Sequence, residues 1–197
     1  PITNKILDMA LIVSCFVVGF VMIAGAGSNL NQQFGLPFWA GGLLCAALVI
    51  IVSFLDFEKI TGVLGIFTPI VFIMIIIIAV HTFTNRSFDF DELEAISATI
   101  PSPMPNVWIS LLNYFALTAM TGVSMAFVLG GSIMRIGVAE KSGILGGLVV
   151  SIIITVATCV LYANVKLAST VDMPMLAIAE QIHPIFSLIY ALIIYGL

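Results

Sequence analysis

Charge is what this sequence has least of. Only 8% of its 197 residues are Asp, Glu, Lys or Arg, where a soluble domain carries about 25%. A net charge of −4 with six Lys and Arg leaves no basic face for nucleic acid, which is excluded as a partner. Cysteine is scarce as well. Cys15, Cys45 and Cys159 lie far apart in apolar runs, so neither a disulfide framework nor metal-ligand spacing is present. The spans hold no Ser/His/Asp set, no paired carboxylates and no His/Cys cluster. An intramembrane enzyme therefore has no chemical basis here, and no cofactor or metal is implied. No ring of charge or filter-like loop marks a channel.

What is present is apolar. Hydrophobic residues make up 61% of the chain, and mean hydropathy is +1.25. This composition predicts an all-α polytopic transmembrane bundle whose main partner is the lipid bilayer. Residue 1 is Pro, no basic leader precedes the first apolar run, and the last 14 residues, PIFSLIYALIIYGL, are too few to span. The chain reads as an internal fragment of a longer protein.

Taken in order, the spans are expected at about 6–26, 38–55, 60–83, 107–131 and 142–164, with a truncated one at 184–197. Lys5 and Asp8 open the first, and Cys15, Gly19, Met22 and Ala26 share one face of it. The uncharged segment GSNLNQQFGLP reads as a linker ended by Gly35 and Pro37. Asp56 to Lys59 form a charged turn, and Pro69 is expected to kink the third span. His81, at the end of that span, reads as interfacial rather than as a proton relay.

Thr84 to Pro105 reads as a solvated acidic loop. It holds Asp89, Asp91, Glu92 and Glu94 but lacks the glycine and terminal Glu of a calcium loop. In the fifth span Gly143, Gly147, Ser151, Thr155 and Cys159 recur every four residues, a face for close helix contact. Asp172 is placed to cap a short helix, 173–182, with Pro174 in its first turn. Pro184 disfavours helix at His183, so 173–182 is read as lying on the outer face. The alternative is one continuous segment from Pro174 to Leu197 that buries Glu180 and His183. Lys5, Lys59, Arg135 and Lys141 fall on one side and Arg86 and Lys166 on the other, which places the N-terminus of the chain in the cytoplasm.

The stretch Asn106 to Gly131 is a span without charge that is not uniformly apolar. Ser110, Asn113, Leu117, Thr121 and Ser124 fall on one narrow face, with Thr118 at its edge and Gly122 among them. Lipid offers these hydroxyls no partner, so the stripe must face protein or water. It is either a helix-packing face or one wall of a polar solute site.

NKILDMALIVSCFVVGFVMIAGAGSNLNQQFGLPFWAGGLL resembles the third and fourth helices of the YkvI-like membrane proteins, with MIAGAG at 22–27 and QQFGLPFW at 32–39 as its distinctive pieces. KSGILGGLVVSI at 141–152 resembles the start of that family's seventh helix. MPMLAIAEQIHPIFSLIYALI at 173–193 resembles its external helix and the entry to its eighth. The family is a branch of the amino acid–polyamine–organocation transporter superfamily. The resemblance implies a LeuT-like fold of inverted repeats, covered here from helix three to the start of helix eight. Asn106–Gly131 is then the sixth helix, broken near Ala116 to Gly122 to hold substrate. Asn113, Ala116, Thr118, Thr121, Gly122 and Ser124 are the candidate substrate-binding residues. The family's Ser/Tyr/Asn cluster is replaced by Ala116, Leu117 and Thr118.

The function expected on this basis is secondary transport of a small solute, such as an amino acid, coupled to Na⁺ or H⁺, across a prokaryotic cytoplasmic membrane. A receptor or assembly subunit that keeps the fold but moves nothing is the alternative.

Overall fold

The structure is a computed structural model. It describes residues 2–85, 89–101, 104–133 and 135–197, and only the backbone of Ile2, Thr3, Phe57, Glu58, Ser124 and Ser132. Arg86, which enters the charge count above, and Pro103 lie outside the described residues. The described residues are all-helical: α1 (Ile2–Phe34), α2 (Phe38–Val52), α3 (Phe57–Asn85), α4 (Phe90–Thr99), α5 (Val107–Ser132), α6 (Ile136–Ala163), α7 (Val165–Ala168), α8 (Pro174–Ile182) and α9 (Pro184–Gly196).

Among the described residues three stretches are long and apolar enough to cross a bilayer: Asn4–Phe34, Lys59–Asn85 and Ile136–Ala163. α5, whose arms Val107–Val123 and Met125–Gly131 meet at about 40°, makes a fourth if the two arms count as one span. The apolar helices Phe38–Val52 and Pro184–Gly196 are shorter.

The chain divides into two compact units. One comprises residues 1–21 and 101–150, the first part of α1 with α5 and the start of α6. No described residue in it is buried, and Phe16, Trp108 and Phe127 are among its exposed side chains. Such apolar surface suits lipid or further helices rather than water. Within it, Ser14 donates to Met120 Sδ at 3.9 Å.

The other unit comprises residues 22–100 and 151–197 and contains all the residues that are buried among those described. Its core joins Met74, Ile78 and Ala79 of α3 and Val160 of α6 to Ile178 of α8 and Tyr190 of α9. The end of α1 crosses α2 backbone to backbone. A Cβ at Gly41 would stand 3.0 Å from Gly27 Cα, so glycine at both positions sets the approach.

Three local expectations are corrected here. The segment 27–34 is no linker, because α1 runs through it to Phe34. The helix stops only where Gly35 turns left-handed (φ +66°), with its N–H bonded to Asn31 O at 2.8 Å, the usual helix-ending geometry. The acidic loop contains α4. Asp89 caps it by accepting from the N–H groups of Asp91 and Glu92, and the acidic first turn complements the helix dipole. Asp172 is not the cap of α8. Met173 holds that position with no side-chain cap, for a reason given below. α8 packs inward through Leu176, Ala177, Ile178 and Ala179, which are buried. The chain does leave the helix at His183, whose backbone is extended. Glu180 and His183 are exposed.

Candidate functional site

The six candidate residues share α5. Asn113, Ala116, Thr118 and Gly122 are exposed and Thr121 is half-buried, while the side chain of Ser124 lies outside the described residues. Thr118 donates to Tyr114 O at 2.8 Å. Thr121 divides its hydroxyl between Leu117 O at 3.0 Å and Thr118 O at 3.2 Å. A Cβ built on Gly122 would meet nothing within 4 Å. Among the described residues no hydrogen bond joins these side chains to another element.

The expected break is corrected in position and kind. Ala116 to Gly122 stays helical, and the bend falls at Ser124. Hydroxyls that bond back one turn satisfy themselves without unwinding the backbone, and they bend helices. Gly122 weakens the same turn.

A second polar cluster, in the unit of residues 22–100 and 151–197, was not visible from sequence. The last turns of α1 send three carboxamides to the α8–α9 pair. Asn29, 1% exposed, donates through Nδ2 to Ala191 O at 3.0 Å. Gln33 Oε1 accepts from the fully buried hydroxyl of Ser187 at 3.1 Å. Gln32 holds both backbone groups of Met173: Nε2 donates to Met173 O at 3.1 Å, and Oε1 accepts from Met173 N at 3.1 Å. Gln32 thus fixes the residue before α8 in the way a paired strand would, which is why α8 starts without a side-chain cap. Tyr195 adds a bond from its hydroxyl to Gly41 O at 2.9 Å.

Among the described residues of the same unit, two buried polar atoms have no partner, Asn29 Oδ1 and Thr82 Oγ1. Thr68, Thr155 and Thr158 all donate to the carbonyl one turn back, whereas Thr82, 2% exposed, does not. An unmade bond in an apolar interior costs about 1–3 kcal/mol.

An open depression of about 410 Å³ between α3 and α6 is lined by Ile76, Ala79, Val80, Phe83, Thr84 and Val156. Its lining is apolar apart from Thr84, which suits an acyl chain better than a polar solute. Among the described residues no group of three or more His, Cys, Asp or Glu could hold a metal ion.

No family model matches the chain, and no solved structure matches it. It is 26% identical over 202 residues to the "Uncharacterized membrane protein YkvI" of Bacillus subtilis (strain 168), covering 98% of this chain and 54% of that protein. The chain is a helical membrane protein. It is also 24% identical over 180 residues to the "Uncharacterized protein YyaD" of the same organism, covering 91% of this chain and 51% of that one. The chain therefore spans about half the length of these relatives.

Replacing Gln32 by Ala removes both bonds to Met173. We expect a loss of about 1–3 kcal/mol, read as a lower melting temperature in detergent and faster proteolysis between α7 and α8. Gln32→Glu keeps the acceptor but loses the donor, and an intermediate loss is expected. If Gln32→Ala melts like the wild type, the clasp does not hold α8.

Proposed function

We propose that the protein containing this chain is a secondary transporter of a small polar solute, an amino acid by the family resemblance. It is driven by Na⁺ or H⁺ and works by alternating access. The observation that carries this reading is the bent span α5. Its polar, uncharged stripe lies at and before the bend, and a bent or broken span is the usual place for a solute site between repeats. In this reading α1 to α3 are helices three to five of a LeuT-like fold, α5 and α6 are helices six and seven, α8 is the external helix, and α9 enters helix eight. The N-terminus of the chain faces the cytoplasm of a prokaryotic cell. The solute lies against Asn113, Ala116, Thr118, Thr121, Gly122 and Ser124, and further helices complete the site.

The test is uptake by the full-length protein in proteoliposomes, with Na⁺ and H⁺ gradients imposed separately across a panel of amino acids. Gradient-dependent accumulation of at least one is expected. A flat panel, with no solute raising the melting temperature, overturns the proposal. One observation favours the second reading, a receptor or assembly subunit. Thr118 and Thr121 spend their hydroxyls on their own helix, which leaves them no free donor for a solute. Binding without flux in the same vesicles supports that reading.

A further inference from the structure

We propose that the depression between α3 and α6 is a site for one phospholipid with an ethanolamine headgroup. Its acyl chain lies in the groove, its phosphate on Lys166 and its ammonium on the carboxylates of α4. The groove is a product of side-chain size. Ile76, Ala79, Val80, Phe83 and Thr84 recur at helical spacing and form one face of α3, with Val156 of α6 as the facing wall. Ala79 is small and buried, while Ile76, Val80 and Phe83 around it are exposed. Large side chains about a small one leave a furrow. At about 410 Å³ it falls within the roughly 300–1,000 Å³ of small-molecule sites. From Ile76 to Thr84 is about 12 Å of helix, and one leaflet of hydrocarbon is about 15 Å thick. One straight acyl segment matches that length.

The polar end of the groove is its headgroup end. Thr84 stands one residue before α3 ends at Asn85, where its hydroxyl can donate to a lipid ester. α6 ends at Ala163, and α7 follows at once with Lys166 exposed. α4, which follows α3, packs against α7, which follows α6, so both spans end on the side of Lys166 and the acidic helix. All these elements belong to the unit of residues 22–100 and 151–197.

Charge on that side selects the headgroup. Asp89, Asp91, Glu92 and Glu94 at α4, Asp172 before α8 and Glu180 on α8 are all exposed, and His81 is half-buried. Among the described residues of these elements Lys166 is the one lysine or arginine. The ion pair among the described residues is Lys59–Asp56, at the opposite end of α3, so Lys166 and these carboxylates are open to a ligand. A purely anionic lipid meets an excess of carboxylate and is repelled. A phosphate with a primary ammonium beside it matches both signs, and its N–H groups make charge-assisted bonds to carboxylates. A quaternary choline has no N–H to give. The site holds whether or not the protein moves a solute.

The test is native mass spectrometry of the full-length protein, extracted from bilayers with equal parts phosphatidylethanolamine, phosphatidylglycerol and phosphatidylcholine. The wild type should retain phosphatidylethanolamine about tenfold more often than either other lipid, the scale of one charge-assisted bond. Val80→Trp fills the groove from a side chain that is 60% exposed and outside the core cluster, and retention should fall about tenfold. Ile66→Trp, also exposed on α3 but clear of the groove, should retain lipid like the wild type. Lys166→Gln should lower retention about threefold, as for an exposed pair. Asp91→Asn with Glu92→Gln and Glu94→Gln keeps the Asp89 cap and should erase the preference for ethanolamine. Melting curves check that each variant is folded, and the charge variants, all on exposed side chains, decide the matter if Val80→Trp is not. A wild type with no preference for phosphatidylethanolamine overturns the proposal, as does unchanged retention in a folded Val80→Trp: the lipid is then annular only. Absence of any retained lipid also overturns it, the result expected if another part of the full-length chain covers the groove.

Discussion

Gly27→Val lowers the melting temperature of the protein sharply, while Gly25→Val two residues earlier is tolerated. A Cβ at Gly27 would stand 2.6 Å from Phe38 O and 3.5 Å from Gly42 N. Both atoms are backbone in the first turn of α2, so no side chain can swing aside. At Gly25 nothing lies within 4 Å of the same atom. Relief at Gly27 requires α1 and α2 to separate. That movement pulls on Gly41, whose carbonyl holds the Tyr195 hydroxyl, and on the three carboxamides of the same α1 segment. Overpacking of this kind costs about 1–3 kcal/mol and occasionally more, and a β-branched residue against backbone belongs at the upper end. Native stability is only about 5–15 kcal/mol, so the loss is a large fraction of the total and the melting temperature should fall sharply. Size-exclusion profiles and melting curves of the two variants side by side decide the matter. Equal behaviour would mean that the crossing is not close.

The parts of the fold that were legible in the sequence are those fixed by one-dimensional signals. Pro184 after His183 ends a helix because the residue before proline avoids helical backbone, and the chain does leave the helix there. The uncharged run from Val107 is helical to Ser132, with Asn106 capping it through Trp108 N at 3.0 Å. Where polarity was taken to mean loop, the reading failed. Asn29, Gln32 and Gln33 are polar because they bond to α8 and α9, 141 to 162 residues away, and no local pattern carries that. One signal was available: nothing in SNLNQQF breaks a helix before Gly35, and Asn29 and Gln33 stand four apart, on one face. The missing cap on α8 has the same origin, since a distant glutamine replaces a local aspartate. For the candidate site, the sequence supplied the stripe on α5. It could not supply the back-bonding of Thr118 and Thr121, which depends on the χ1 each hydroxyl adopts.

That back-bonding sharpens the second large effect, which is functional. If the protein is the proposed transporter, Gly122→Val should fold normally and lose at least tenfold in solute uptake. Folding is spared because a Cβ there meets nothing within 4 Å, and valine is, if anything, the better helix former by a few tenths of a kcal/mol. Uptake suffers because Gly122 sits beside Thr121 and two residues before the bend at Ser124. If the hydroxyls of Thr118 and Thr121 face their own backbone, selectivity on this face comes from shape and from carbonyls that the bend opens. A branched side chain closes both. A tenfold loss is about 1.4 kcal/mol of barrier, less than one displaced solute contact. Gly130→Val is the control: it is equally open, on the same helix, and beyond the bend. Initial rates of gradient-driven uptake, normalised to folded protein by melting curve, separate the two variants. Unchanged uptake in Gly122→Val would return α5 to a packing helix and leave the subunit reading in its place.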